Sequence, residues 1–254
     1  MTPFEVVAIL LAGVAAGTIN TIVGSGTLIT FPTLLAFGVP PVTANVSNTV
    51  GLVPGSLSGV FGYRAELSGQ RARLLRLGTA SLLGAALGAL LLLWLPSEAF
   101  DAIVPALVAL GVLLVVLGPR VQRSVAARAE ARGGLPDHGA MWVWPAVLVA
   151  GVYGGYFGAA QGVLLMAILG IGVADALQRH NATKNVLALV VNLVAALVFI
   201  AVADVDWAAA GLIALGSVVG GQVGATVGRR LPPAVLRGVI VAVGLTALVT
   251  LLWP

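Results

Sequence analysis

Gly24-Ser25-Gly26-Thr27-Leu28-Ile29-Thr30-Phe31-Pro32-Thr33-Leu34-Leu35-Ala36-Phe37 is a glycine turn followed by a short apolar run. A shift of 136 residues brings it to Gln161-Gly162-Val163-Leu164-Leu165-Met166-Ala167-Ile168-Leu169-Gly170-Ile171-Gly172, where the pattern returns. As helices, the runs Thr27 to Phe37 and Val163 to Gly172 would each reach about 15 Å. A bilayer core of about 30 Å is out of range for either alone. Backbone ends cannot face lipid unsatisfied, so both runs are predicted to be broken or re-entrant pieces enclosed by longer helices.

Outward from these turns, the same shift of 136 pairs Ser47 with Thr183, Tyr63 with Phe199, Gly84 with Gly220, Gly88 with Gly224 and Leu95-Pro96 with Leu231-Pro232. Apolar segments between polar or Pro/Gly punctuation follow the same order on both sides. They are expected at 4–23, 27–37, 43–62, 74–95 and 100–117, and again at 141–157, 163–172, 179–203, 207–228 and 233–253. The fold expected is an all-α integral membrane protein of two inverted repeats, each with about five helical segments, three to four of them full spans. The units are residues 1–117, a polar linker 118–140, and residues 141–254. The run Gln122 to Arg132 within the linker reads as an amphipathic helical connector.

Composition agrees. Of the 254 residues 59% are hydrophobic and only 9% charged, with a mean hydropathy of +1.09. A soluble domain carries roughly a quarter of its residues charged, so this chain is solvated mostly by lipid. It has no cysteine and only His138 and His180, so disulfides, thiolate chemistry, a metal site and a resident cofactor are not expected. The net charge of +4 is read as basic cytoplasmic loops rather than as affinity for nucleic acid.

Equivalent loops carry opposite charge. Arg64, Arg71, Arg73 and Arg76 follow the third segment, with one acid, Glu66, whereas Asp204 and Asp206 follow its counterpart. Glu98 and Asp101 follow the fourth segment, whereas Arg229, Arg230 and Arg237 follow its counterpart. The positive-inside rule then orients the halves oppositely, with the linker in the cytoplasm and both termini outside. Arg179, His180 and Lys184 fall on the inner side in this scheme. The first residues lack a positive n-region, so the N-terminus reads as the start of a retained helix. Arg-rich, Lys-poor usage suggests a GC-rich bacterium and its inner membrane.

The motif Gly17-Thr18-Ile19-Asn20-Thr21-Ile22-Val23-Gly24-Ser25-Gly26 leads into Pro32-Thr33-Leu34-Leu35, Gly38-Val39-Pro40-Pro41 and Ala44-Asn45-Val46-Ser47-Asn48, then Tyr63-Arg64. Its second-half echo is Gly154-Gly155-Tyr156-Phe157-Gly158-Ala159-Ala160-Gln161-Gly162, then Asn181-Ala182-Thr183-Lys184. Over essentially its whole length the chain resembles the TauE/SafE sulfite exporter family, the TSUP permeases. Gln161 departs from the pattern, since it stands where the family usually has another glycine. The resemblance implies export or uptake of sulfur-containing anions such as sulfite or organosulfonates.

Candidate substrate-binding residues follow from the turns themselves. A helix N-terminus carries roughly half a positive charge and accepts oxyanions without a dedicated base. Gly24, Ser25, Gly26, Thr27 and Asn20 supply donors from one half, and Gln161 and Gly162 from the other. Ser47 and Asn48, with their counterparts Thr183, Lys184 and Asn185, are read as opening the third and eighth segments toward the same central site. Lys184, the only lysine, has two readings: a buried functional charge, or an interfacial lysine that snorkels. The glycines also have two, a site or close helix packing, with packing favoured for Gly84, Gly88, Gly220 and Gly224. Ser56 and Asn192, equivalent mid-helix positions, are candidates for a gate or an interhelical hydrogen bond. All nine acids lie in predicted loops or at helix ends, so an anion could leave an inside-negative cell without a coupling ion; proton coupling through His180 is the competing idea. The expected partners are a small anion and the lipid bilayer, with a homo-oligomer left open. An anion channel is the alternative. A membrane enzyme would need a nucleophile–base pair or metal, and no such constellation is present in the sequence.

Overall fold

Ten helices are present among the residues that the computed structural model describes, which are 1–131, 139–227 and 233–252, with backbone alone for 121–131, 233 and 250. They are α1 (Pro3–Ile22), α2 (Thr27–Ala36), α3 (Pro41–Gly62), α4 (Arg71–Trp94) and α5 (Ser97–Ala131), then α6 (Val143–Tyr156), α7 (Gln161–Gly172), α8 (Leu177–Val202), α9 (Trp207–Thr226) and α10 (Pro233–Leu252). Five are long and apolar enough to cross a membrane: α1, α4, α5 over 97–120, α8 and α9. The protein is an all-α, multi-pass membrane protein. Arg132, Arg229, Arg230 and Leu231-Pro232 lie outside the described residues, as does the stretch 132–138 of the expected linker.

Local chemistry sets the helix ends. Thr2 and Glu5 form a reciprocal capping box at the start of α1, with Pro3 in the first turn. Asp206 caps α9 by accepting the N–H groups of Ala208 (3.1 Å) and Ala209 (3.0 Å). One boundary and one placement differ from expectation. The helix begun at Ser97 runs through Gly118-Pro119 to Ala131, so the expected domain edge at 117/118 falls inside α5. Also α3 and α8 start at Pro41 and Leu177, well ahead of Ser47 and Thr183. Those two residues and their neighbours are therefore not in N-terminal turns and have no free helix-end N–H groups to offer.

Small residues let the long helices touch backbone to backbone. A Cβ on Gly84 or Gly88 of α4 would collide with the carbonyl of Leu148 or Val152 on α6. A Cβ on Gly220 or Gly224 of α9 would meet the carbonyl of Val14 or Thr18 on α1. For these four glycines, packing is what the structure shows. In both contacts residue numbers rise together, so α4 runs parallel to α6 and α1 parallel to α9. By contrast, α3 and α8 run antiparallel, joined by Asn181 Nδ2 to Tyr63 Oη (2.8 Å) and Asn192 Nδ2 to Ser56 Oγ (3.0 Å).

The ends of the bundle differ in charge. One face gathers the 63–70 turn, residues 139–140 and the 173–176 turn, with Arg76 Nη1 donating to Gly139 O (3.1 Å) and Arg179 Nη1 to Ser68 O (3.0 Å). The other gathers the N-terminus, the 37–40 turn and residues 203–206. There Phe4 stacks edge-on against Phe37, and the Asp206 N–H donates to Ser47 Oγ (2.8 Å).

Candidate functional site

Two helices end in the same way inside the bundle. At the end of α1, the N–H groups of Val23 (2.7 Å) and Gly24 (2.9 Å) both donate to Ile19 O, and Gly24 takes φ +89°. At the end of α6, Phe157 (3.0 Å) and Gly158 (3.0 Å) both donate to Tyr153 O, and Gly158 takes φ +74°. Glycine is needed at such positive φ. Gly24 therefore matches Gly158, a shift of 134, while Gly26 and Gly162 keep the shift of 136. Ala159 and Ala160 make the second turn two residues longer, so the register of 136 does not extend back over the first helix of each half.

The two turns meet. Gly162 N–H donates to Gly24 O (3.0 Å), and a Cβ on either glycine would overlap the other's Cα. Beside this contact lies a cavity in which the centre of a water-sized sphere can move through about 30 Å³. Asn20, Gly24, Thr27, Gln161, Gly162 and Asn185, all candidates from the sequence, line it. So do Ser56 and Asn192, bonded to each other across the 136-residue shift, together with Thr21, Gly158 and Ala188. No acidic side chain lines it among the described residues.

The remaining candidates stand behind the wall or away from it. Gly26 packs on the Ala16 backbone, and its N–H donates to Asn20 Oδ1 at 2.6 Å. With Gly162 N–H engaged by Gly24, neither of these two glycine N–H groups is free, contrary to the expectation. The reason is general: an N–H inside a membrane protein needs a protein partner. Ser25 is fully buried with an unpartnered Oγ. Asn48 is bonded to Thr27 and Thr30 on α2. Ser47 receives the Asp206 N–H at one end of the bundle, and Thr183 Oγ1 donates to Gln70 Oε1 (2.7 Å) at the other.

Lys184 is fully buried, and its Nζ donates to Asn20 O (2.9 Å) and Thr21 O (3.1 Å). Asn181 and Asn185 add their amides to Thr21 O at 3.2 and 3.3 Å. Three α8 side chains thus satisfy the carbonyls left open at the end of α1, where the helix dipole is negative. This lysine does not snorkel, and it does not line the cavity either. It places its ammonium one residue layer behind Asn20 and Thr21. Gln161, at the start of α7, is 4% exposed, and its Nε2 has no partner.

The family model for the TauE/SafE sulfite exporter matches residues 9–251. The chain belongs to the TauE/SafE sulfite exporter family. It is similar to "Probable membrane transporter protein ORF9" of Sinorhizobium sp, with 29% identity over 258 residues covering 98% of this chain and 93% of that one. It is similar as well to "Probable membrane transporter protein YfcA" of Escherichia coli K12, with 26% identity over 258 residues covering 96% and 88%. No solved structure matches. This TauE/SafE chain is a membrane transporter, and its cavity is the place in the fold where polar groups of both halves converge.

Proposed function

We propose that the protein is a secondary transporter of small anions, sulfur oxyanions such as sulfite or a sulfonate, which bind in the central cavity and move by alternating access of the two halves. The observation that carries this reading is the buried, unpartnered Nε2 of Gln161 at the start of α7, a residue that lines a cavity whose wall has amide and hydroxyl groups and, among the described residues, no acid. A buried donor left without an acceptor costs about 1–3 kcal/mol, and an oxyanion would remove that cost. Lys184 behind the wall and the dipole of α7 add positive potential of the required sign. The family description and the relatives' names support a transporter; the chemistry of the lining favours an anion.

In this reading the halves 1–117 and 141–254 are duplicated and inverted. The paired contacts of α1 with α9 and α4 with α6, and the Ser56–Asn192 bond between equivalent positions, support it. The basic face is cytoplasmic in a bacterial inner membrane, and the termini are outside. A carrier is favoured over a channel because the cavity is small, about 30 Å³, and two residues of its wall, Ser56 and Asn192, are bonded to each other.

The test is counterflow of labelled methanesulfonate or sulfite in proteoliposomes. Gln161→Ala should lower flux at least about tenfold, the loss of one charge-assisted bond of about 1.5–3 kcal/mol, with a monodisperse protein in detergent. Flux equal to that of the unsubstituted chain would remove Gln161 as the central ligand.

A further inference from the structure

On the basic face two guanidinium groups close on one carboxylate. Arg73 Nη1 of α4 lies 2.6 Å from Asp175 Oδ2, and Arg179 Nε of α8 lies 2.8 Å from Asp175 Oδ1. Arg73 also donates to Gln70 Oε1 (2.8 Å), the oxygen that accepts from Thr183 Oγ1. Arg73 is 6% exposed, and the Asp175 side chain 12%. The cluster fastens α4 to the turn and first helical residues that follow α7, so it ties one half of the bundle to the other.

The opposite face has only part of it. The shift of 136 carries Gln70 onto Asp206 and Thr183 onto Ser47, and that pair is hydrogen bonded as well. Val39, Thr43 and Ala209 occupy the positions equivalent to Asp175, Arg179 and Arg73. The neutral part of the contact is therefore common to both ends, and the ionic part is confined to the basic end.

We propose that Arg73 and Arg179 form an entry site for a small oxyanion on the basic face, and that Asp175 is its resident stand-in and closes the gate. Two guanidinium groups held on the two oxygens of a carboxylate suit two oxygens of a sulfonate or sulfite in the same way. Withdrawing Asp175 alone would take a carboxylate away from the buried Arg73 guanidinium, which is costly. Exchange for an arriving anion avoids that cost, so the gate yields to anions and stays shut without them. Once Asp175 is displaced, α4 and the 173–176 turn are no longer joined by charge, and the path to the cavity opens from the side that loaded the anion. This inference rests on the reading of the cargo as a small oxyanion, though not on Gln161 as its central ligand.

The chain has no cysteine, so one introduced at the cavity wall reports alone. In inside-out membrane vesicles carrying Ala188→Cys, labelling by a cationic trimethylammonium methanethiosulfonate reagent should speed up several-fold when methanesulfonate is added. Asp175→Asn should label fast with or without the anion. Arg179→Gln, at the more exposed rim of the cluster, should also label fast, and Arg73→Gln with Arg179→Gln should abolish the response to methanesulfonate. Slow labelling in both Asp175→Asn and Arg179→Gln, each confirmed as folded by gel filtration, would overturn the proposal, as would an anion response that survives loss of both arginines. Gln161→Ala separates the two readings: unchanged flux with the labelling pattern intact would remove the central ligand and leave the entry site standing.

Discussion

Alanine at Gly24 tests the contact between the two turns, and its cost can be worked out from two separate effects. Gly24 has φ +89°, where a side chain costs roughly 1–2 kcal/mol. The new methyl would also overlap Gly162 Cα, and overpacking of that kind costs typically about 1–3 kcal/mol. Gly24→Ala should therefore destabilise by about 2–5 kcal/mol. Two companions isolate the parts. Gly38 has φ +77° with nothing within 4 Å of an added methyl, so Gly38→Ala should show only the conformational cost. Gly162 meets the same obstacle without positive φ, so Gly162→Ala should show only the overlap, about 1–3 kcal/mol. Unfolding in detergent followed by tryptophan fluorescence measures all three. The double variant Gly24→Ala/Gly162→Ala should cost less than the two single variants combined, because the separation of the turns that relieves one overlap also relieves the other. Equal destabilisation by Gly24→Ala and Gly38→Ala, or a harmless Gly162→Ala, would refute the close approach of the turns.

Asp206→Ala should lower stability by about 1 kcal/mol through loss of the α9 cap, and leave the residue 206 N–H bond to Ser47 in place; the shift of the unfolding midpoint measures it. Asp175 gives a pH dependence. Burial raises its carboxyl, but the Arg73 hydrogen bond, the Ala176 N–H and the charges of Arg73 and Arg179 outweigh burial and hold it below the usual carboxylate range. Its stabilising effect is then complete above the unfolded value of about 4 and lost as pH falls through the lower folded value. Midpoints recorded from neutral pH downward should fall in that acid range for the unsubstituted chain and fall less for Asp175→Asn; parallel curves would contradict the assignment.

The helices were legible in the sequence because apolar runs of membrane length leave few alternatives. The turn at Gly24 was legible as glycine punctuation, whereas the second turn was placed at Gln161-Gly162 and the positive-φ glycine is Gly158. The length of α5 was not, because Gly118-Pro119 reads as a stop, and yet the helix continues through Pro119 to Ala131. At the site, Asn20, Gln161, Gly162 and Asn185 could be found because polar residues beside a buried turn need partners. Ser47 and Thr183 misled because a repeat-based alignment shows that two positions are equivalent without saying which end of a helix they occupy. Their partners, Asp206 and Gln70, are equivalent under the same shift, a signal that the sequence does carry. The Arg73–Asp175 pair joins residues 102 apart, and nothing local in either loop points to it.

The bond from Gly162 N–H to Gly24 O is made entirely of main-chain atoms. A joint of that kind asks only that both positions stay glycine, and the residues around it are free to change. Relatives of this chain could therefore exchange the amides and hydroxyls of the chamber without loosening the joint at which the two turns meet.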